Sequence, residues 1–201
     1  MAKPTSQPEL PLAAGEHRGE QVSDSDRRPV LTIGHSTRSG EDLIALLTQH
    51  GVRLLADVRA FPRSRRNPQF NIDTLPAALA RAGIGYRHFA ALGGRRNPRP
   101  DSANAAWREP GFRGFADYME TPDFAAALTE LLALAGQQSV AIMCAEAEPW
   151  RCHRSLISDA LVARGVPVEH ILGKERRRLH RLPPFARVTG QRVSYPALLI
   201  E

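Results

Sequence analysis

The sequence predicts one α/β domain, a mainly parallel sheet of about five strands with helices on both faces. Short apolar runs that read as buried strands alternate with amphipathic stretches of helical period from Pro29 to Leu172. The first three of these segments are strand, helix, strand, a βαβ unit whose two strands are expected to be parallel neighbours, and the fourth strand is expected beside the first. A chain of 201 residues, 42% hydrophobic and 24% charged, is ordinary for one soluble domain and too short for two of full size.

Residues 1–28 mix Pro, Gly, Ser and Glu with few large apolar groups, the composition of a disordered leader. The domain is expected over 29–173, opening with the strand Pro29 to Ile33 and the turn Gly34-His35-Ser36. Ser39, with Asp42 three residues on, then caps a helix whose apolar stripe is Leu43, Ile44, Leu46 and Leu47, closed by Gly51. A second strand spans Val52 to Val58, followed by a basic loop to Phe70, a helix from about Asp73 to Ala82, and a short strand near Gly85 to His88. The stretch from Phe89 to Gly111 has no periodicity, which suggests a lid or binding loop. Helices resume over Phe112 to Met119 and Thr121 to Ala135, the latter with Pro122 in its first turn. A strand at Ser139 to Met143, a helix at Arg154 to Arg164 and a last strand at Val166 to Leu172 complete the domain.

No run approaches the roughly 18 apolar residues that cross a bilayer, and the N-terminal segment lacks the apolar stretch of a secretion signal. No membrane partner is expected, and a cytoplasmic location is. Two cysteines, Cys144 and Cys152, do not make a disulfide scaffold, so they are core thiols or chemistry. An excess equal to the whole net charge of +6 lies between Lys174 and Arg192 in the basic tail 174–201, where seven bases face the single acid Glu175. Nearly all the bases are arginine, which forks onto phosphate and carboxylate.

In open parallel sheets the ligand crevice lies beyond the carboxyl ends of the strands. The residues that follow each strand are His35, then Asp57, Arg59, Arg63, Ser64 and Arg65, then Gly93, Gly94 and Arg95, then the segment Cys144 to Arg154. Polar and titratable groups thus gather at one edge of the expected sheet, and His35, Asp57, Arg59, Cys144, Glu146 and Cys152 should converge there. Cys152, between Arg151 and His153 at a helix start, has the surroundings of a thiolate. Three chemistries compete for the loop. A phosphate-cradling cysteine loop is disfavoured because six residues separate Cys144 from Arg151 and because Glu146 and Glu148 repel phosphate. Cys144, Cys152 and His153, with His35 or Glu146, are candidate metal donors that lack the paired C-x-x-C spacing. Glu146, His35 and His153 are candidate general acids and bases, with Cys152 as a nucleophile. Arg59, Arg63, Ser64, Arg65, Arg95 and Arg154, oriented in part by Asp57, would bind the substrate. His50, His170 and His180 stand isolated and read as surface or structural.

The motifs Ile33-Gly34-His35-Ser36, Asp57-Val-Arg59-x-x-Pro62-x-Ser64-Arg65 with Phe70-Asn71, Tyr86 followed by Leu92-Gly93-Gly94-Arg95, Phe112-Arg113-Gly114-Phe115-x-x-Tyr118-Met119 and Met143-Cys144-Ala-Glu146-x-x-Pro149-x-x-Cys152-His153-Arg154 resemble the family called domain of unknown function 488. The resemblance covers about Val30 to Leu172 and implies a small bacterial and archaeal α/β domain without an established reaction. The expected function is that of an enzyme, a hydrolase or transferase, whose crevice takes a phosphorylated, carboxylated or nucleotide-like anion. The alternative is a nucleic-acid-binding or regulatory module that uses the basic loop and tail. No cofactor is named by these residues.

Overall fold

The computed structural model describes residues 28–197, so all of the leader but Arg28 lies outside the described residues. Strands β1 (Val30–Gly34), β2 (Leu54–Asp57), β3 (Gly85–His88), β4 (Val140–Cys144), β5 (Val168–Ile171) and β6 (Arg177–Leu179) form one sheet in the order β3-β2-β4-β1-β5-β6. Five are parallel and β6 is antiparallel. Helices α1 (Gly40–Gln49) and α2 (Leu75–Arg81) cover one face. The other carries α3 (Pro110–Tyr118), α4 (Pro122–Gln137) and α5 (Arg154–Val162).

The α/β class is as the sequence implies, but β1 and β2 are not neighbours, because β4 lies between them. Burial explains the order. Every residue of β1, β2 and β4 is buried, so each needs a strand on both sides and helices above and below. β3 alternates exposed with half-buried positions and β6 is exposed throughout, which suits the two edges. Adjacency across a βαβ link is only a tendency, and here the central strand is supplied from later in the chain.

Local signals hold at the helix starts. Ser39 Oγ accepts the Asp42 N–H at 3.0 Å and donates to the Asp42 carboxylate at 2.9 Å. Thr121 caps α4, whose buried Phe124, Ala127, Leu128 and Leu131 form the stripe that meets the sheet. The stretch from Phe89 to Gly111 is pinned rather than free to act as a lid. Asp117 accepts from Arg99 N–H, Ser102 Oγ and Asn104 Nδ2 at 2.6–2.9 Å. Trp107 stacks on Phe112 with ring centroids 4.8 Å apart.

The basic segment after Gly173 contributes structure of its own. It adds β6 to the sheet, then a hairpin of β7 (Arg187–Thr189) and β8 (Arg192–Ser194). Tyr195, fully buried, donates its hydroxyl to Asp159 Oδ2 at 2.6 Å and its N–H to Asn104 Oδ1 at 2.9 Å. Register brings His180 beside β5, and a buried chain runs from Thr32 Oγ1 through His170 (2.7 Å) and His180 (3.0 Å) to Asp159 Oδ1 (2.7 Å). All four ring nitrogens of the two histidines are therefore engaged.

Burial first, then the charges of His180, Arg154 and Arg178, push His170 down from 6.5 to about 3. The unfolded chain thus takes up a proton below pH 6.5 that folded His170 refuses. The stability this group contributes is complete above 6.5 and is lost as pH falls toward 3, with a slope of at most about 1.4 kcal/mol per pH unit. Urea unfolding midpoints should decline across that window, and His170→Gln should make the decline shallower. Equal slopes in both proteins would refute this assignment.

Candidate functional site

β1 leads into α1 on one face, while its neighbour β4 leads into α5 on the other, so their connections diverge and open a crevice between strand ends. Into it come the segments after β2, β3 and β4. They enclose a cavity of about 240 Å³ lined by Arg59, Phe61, Gly94, Arg95, Cys144, Glu146 and His153, together with Ala60 and Ala145.

One wall is fixed by a buried ion pair. Alternation along β2 turns Asp57, which is fully buried, toward the α1–α2 face with Leu55. Arg59 Nε and Nη2 reach its carboxylate at 2.9 and 2.5 Å, Nη2 also donates to the Phe70 carbonyl at 2.7 Å, and Nη1 lies 3.3 Å from His35 Nε2. Tyr86 OH donates to the same carboxylate at 2.8 Å. Burial opposes the Arg59 charge, but the Asp57 bonds outweigh it and raise its pKa further. Burial and then the Asp57 charge likewise push Tyr86 up. His35, its ring tilted against Phe70 with centroids 4.3 Å apart, is driven down to about 4 mainly by burial, so it is a neutral prop for Arg59. Four of the five guanidinium N–H groups of Arg59 are engaged by protein, leaving one for a ligand.

The opposite wall is the β4–α5 loop, which lies directly on β1. A Cβ at Gly34 would sit 1.7 Å from the Glu146 carbonyl oxygen, so only glycine admits the loop there. His35 and Ser36 N–H groups donate to the carbonyls of Cys144 and Ala145 at 3.0 and 2.8 Å. Arg154, almost wholly buried, clamps the Glu146 and Ala147 carbonyls at 2.5 and 2.8 Å.

Between the walls lie both thiols and an imidazole. His153 Nε2 is 3.0 Å from the Val58 carbonyl, which can only accept, so Nε2 carries the proton and Nδ1 is left with its lone pair. That Nδ1 is 3.8 Å from Cys144 Sγ and 3.7 Å from Cys152 Sγ. Gly94 makes room for the ring, since a Cβ there would meet Nδ1 at 2.9 Å. The Cys144 thiol donates toward Cys152 and, with the charge and backbone N–H of Arg154, brings Cys152 from 9.0 to about 7 despite burial. Cys144, holding the shared proton in a buried place, is pushed up. The three donor atoms lie within 4.8 Å of one another, near the edges of about 3.6–3.8 Å of a tetrahedral zinc site. The His153 bond to a carbonyl is the support a metal-bound imidazole usually has, whereas the charges of Arg59 and Arg154 beside the sulfurs oppose a cation.

The expected residues therefore divide. Arg59, Arg95, Cys144, Glu146 and His153 line the cavity, and Glu146 is exposed at its mouth. Buried Cys152 touches His153 behind it, while Asp57, His35 and Arg154 hold the walls. Arg63 is outside, paired with exposed Asp73 at 2.9 Å. Ser64 is used within its own loop, accepting from Asn67 N–H, and Arg65 is exposed away from the cavity lining. Sequence reasoning did not find Tyr86 as the third partner of Asp57, or Phe61 as a cavity wall beneath Arg95, whose guanidinium lies 5.5 Å from the ring. An aromatic inside a basic loop was the available signal for Phe61.

The family model for the domain of unknown function DUF488 matches residues 39–161. The chain belongs to this DUF488 family. No curated protein and no solved structure matches it. The DUF488 match takes in both cysteines, Asp57, Arg59, Glu146, His153 and Arg154, and leaves out His35 and everything from β5 onward.

Removing Asp57 leaves Arg59 buried and unpaired. Asp57→Ala should lose about 3–5 kcal/mol of unfolding free energy, and Asp57→Ala with Arg59→Met should recover much of that loss. Denaturant unfolding of the three proteins measures this, and a double variant no more stable than the single one would refute it.

Proposed function

We propose that the chain is a cysteine-dependent enzyme, a hydrolase or transferase, acting on a small anionic substrate in the strand-end crevice. The observation that carries the reading is the convergence of Cys144, Cys152 and the His153 lone pair beneath a cavity walled by two arginines. Arg95, exposed on the rim, supplies an unpaired positive charge among the described residues, and Arg59 supplies one free N–H. A phosphate or carboxylate entering the crevice meets both.

The two sulfurs share one proton near neutral pH. Its transfer from Cys144 to Cys152 exposes the anion at the cavity wall, where Cys144 attacks an electrophilic carbon and forms a covalent adduct. The leaving group departs with a proton from the solvent at the mouth. Water, deprotonated by Glu146, or a second acceptor then cleaves the adduct and restores the thiolate. His35 keeps Arg59 in place and takes no proton itself.

A second reading, a metal centre on the same three atoms, is favoured by the sulfur–nitrogen distances of 3.7 and 3.8 Å. The nucleic-acid alternative has less support, since Arg63 and Arg177, two members of the basic runs, are paired with Asp73 and Glu169.

Alkylation by iodoacetamide tests the thiol pair. The rate should rise as pH increases through about 7 and level off above it, because the protonated pair is inert and the thiolate reacts. In Cys152→Ser the half-maximal pH should move to the ordinary thiol range of about 8.5 or higher. A wild-type profile already centred near that ordinary value would sink the proposal. One equivalent of tightly bound metal that blocks alkylation until it is chelated would replace it with the second reading.

A further inference from the structure

A second concavity, of about 470 Å³, lies on the far side of the β4–α5 loop and shares no lining residue with the crevice. Its volume falls in the range of about 300–1,000 Å³ usual for small-ligand pockets. Pro149, Trp150 and Ser155 form one side, and Arg178, Leu179 and Arg181 form the other, with His170 and His180 as the floor. The floor offers no polar atom, because every ring nitrogen is engaged in the chain to Thr32 and Asp159. Recognition must therefore come from the sides.

Those sides combine two features that water alone does not explain. Trp150 and Leu179, exposed by 52% and 55%, are two of the four large exposed hydrophobic side chains among the described residues. Arg178 and Arg181 are exposed, form no ion pair among the described residues, and no carboxylate lines the cleft with them. The neighbouring Arg177, by contrast, is bound to Glu169 and His50. Arg178 lies 5.5 Å from the indole ring of Trp150, so an aromatic surface and a fixed positive charge meet at one spot.

We propose that this cleft binds a mononucleotide, its base stacked on Trp150 against Leu179 and its phosphate held by Arg178 and Arg181. A flat ring accounts for the exposed indole and leucine, and an anion accounts for the unpaired guanidinium groups. One ring and one phosphate fit the single aromatic and the two arginines better than a polymer, because no further arginine or lysine lines the cleft and the neighbouring Arg177 is paired with Glu169. Both arginines, with His170, Leu179 and His180, lie outside the family match at 39–161, so the phosphate-holding side of the site is supplied by this chain's C-terminal segment. The proposal is independent of the thiol chemistry. Occupancy would nonetheless bear on it, because Trp150 is two residues from Cys152, and Ser155 Oγ donates to the Cys152 carbonyl at 3.0 Å.

Titration calorimetry of the full chain with adenosine monophosphate, adenosine and inorganic phosphate, alongside Trp150 emission, tests the assignment. Adenosine monophosphate should bind saturably and quench Trp150, while adenosine and phosphate should each bind at least about tenfold more weakly. Trp150→Ala and the double variant Arg178→Ala/Arg181→Ala should each lower affinity by about tenfold or more. Circular dichroism and melting temperature should stay unchanged, since these side chains are exposed. Arg95→Ala should leave binding intact. No binding of the mononucleotide, equal binding of phosphate alone, or binding confined to oligonucleotides overturns the proposal. Loss of binding in Arg95→Ala with the double variant unaffected also overturns it, by moving the nucleotide to the crevice.

Discussion

A carboxylate buried at the end of a central strand needs a counter-charge and hydrogen bonds at once, and the way Asp57 obtains them organises the whole strand-end region. Arg59 folds back onto it from two residues away, and Tyr86 arrives from β3. With its guanidinium held there, Arg59 fastens the Phe70 carbonyl and His35, while its own carbonyl meets His88 Nε2 at 2.8 Å. The intervening Val58 carbonyl then faces His153 and fixes which ring nitrogen turns to the sulfurs. The positions of the reactive groups are thus consequences of one desolvated charge and its partners.

The site also separates two uses of arginine. Arg59 and Arg154 are buried and bonded to protein, so they act as fasteners whose charge still reaches the cysteines. Arg95, Arg178 and Arg181 are exposed and free to meet an anion. Positive charge beneath the thiols and positive charge at the entrances therefore do different work, the first on sulfur acidity and the second on ligand capture.

Much of this was legible in the sequence, for identifiable reasons. The strands announced themselves because their apolar runs are short and bounded by polar turns, and the thiol loop because so many reactive side chains crowd eleven positions from Cys144 to Arg154. Strand order was legible only in part: β4 does stand beside β1 as its loop implied, but its insertion between β1 and β2 was not foreseen, since all three strands are buried on both faces and look alike in periodicity. Nor could the sequence distinguish Arg59 from Arg63 and Arg65 in one loop, because only proximity to a buried carboxylate separates them. His170 and His180 seemed isolated until β5–β6 pairing set them side by side. The edge strand itself, Arg177–Leu179, lacks any apolar signal and exists through its backbone bonds to β5.

The interior position of β4 has a consequence for how the molecule comes into being. Synthesis produces β1, α1 and β2 first, a unit whose two strands have every local reason to pair, yet in the finished sheet they must stand apart with an open slot between them. That slot is filled only when Val140–Cys144 emerges, so Leu31 waits for Ala141 and Leu54 for Val140. Direct β1–β2 pairing is the nearest trap on the way, and escape from it depends on contacts between distant parts of the chain, which form slowly. Until then two mostly apolar strands keep an unpaired edge, and the nascent protein is most exposed to aggregation before its central strand has been made.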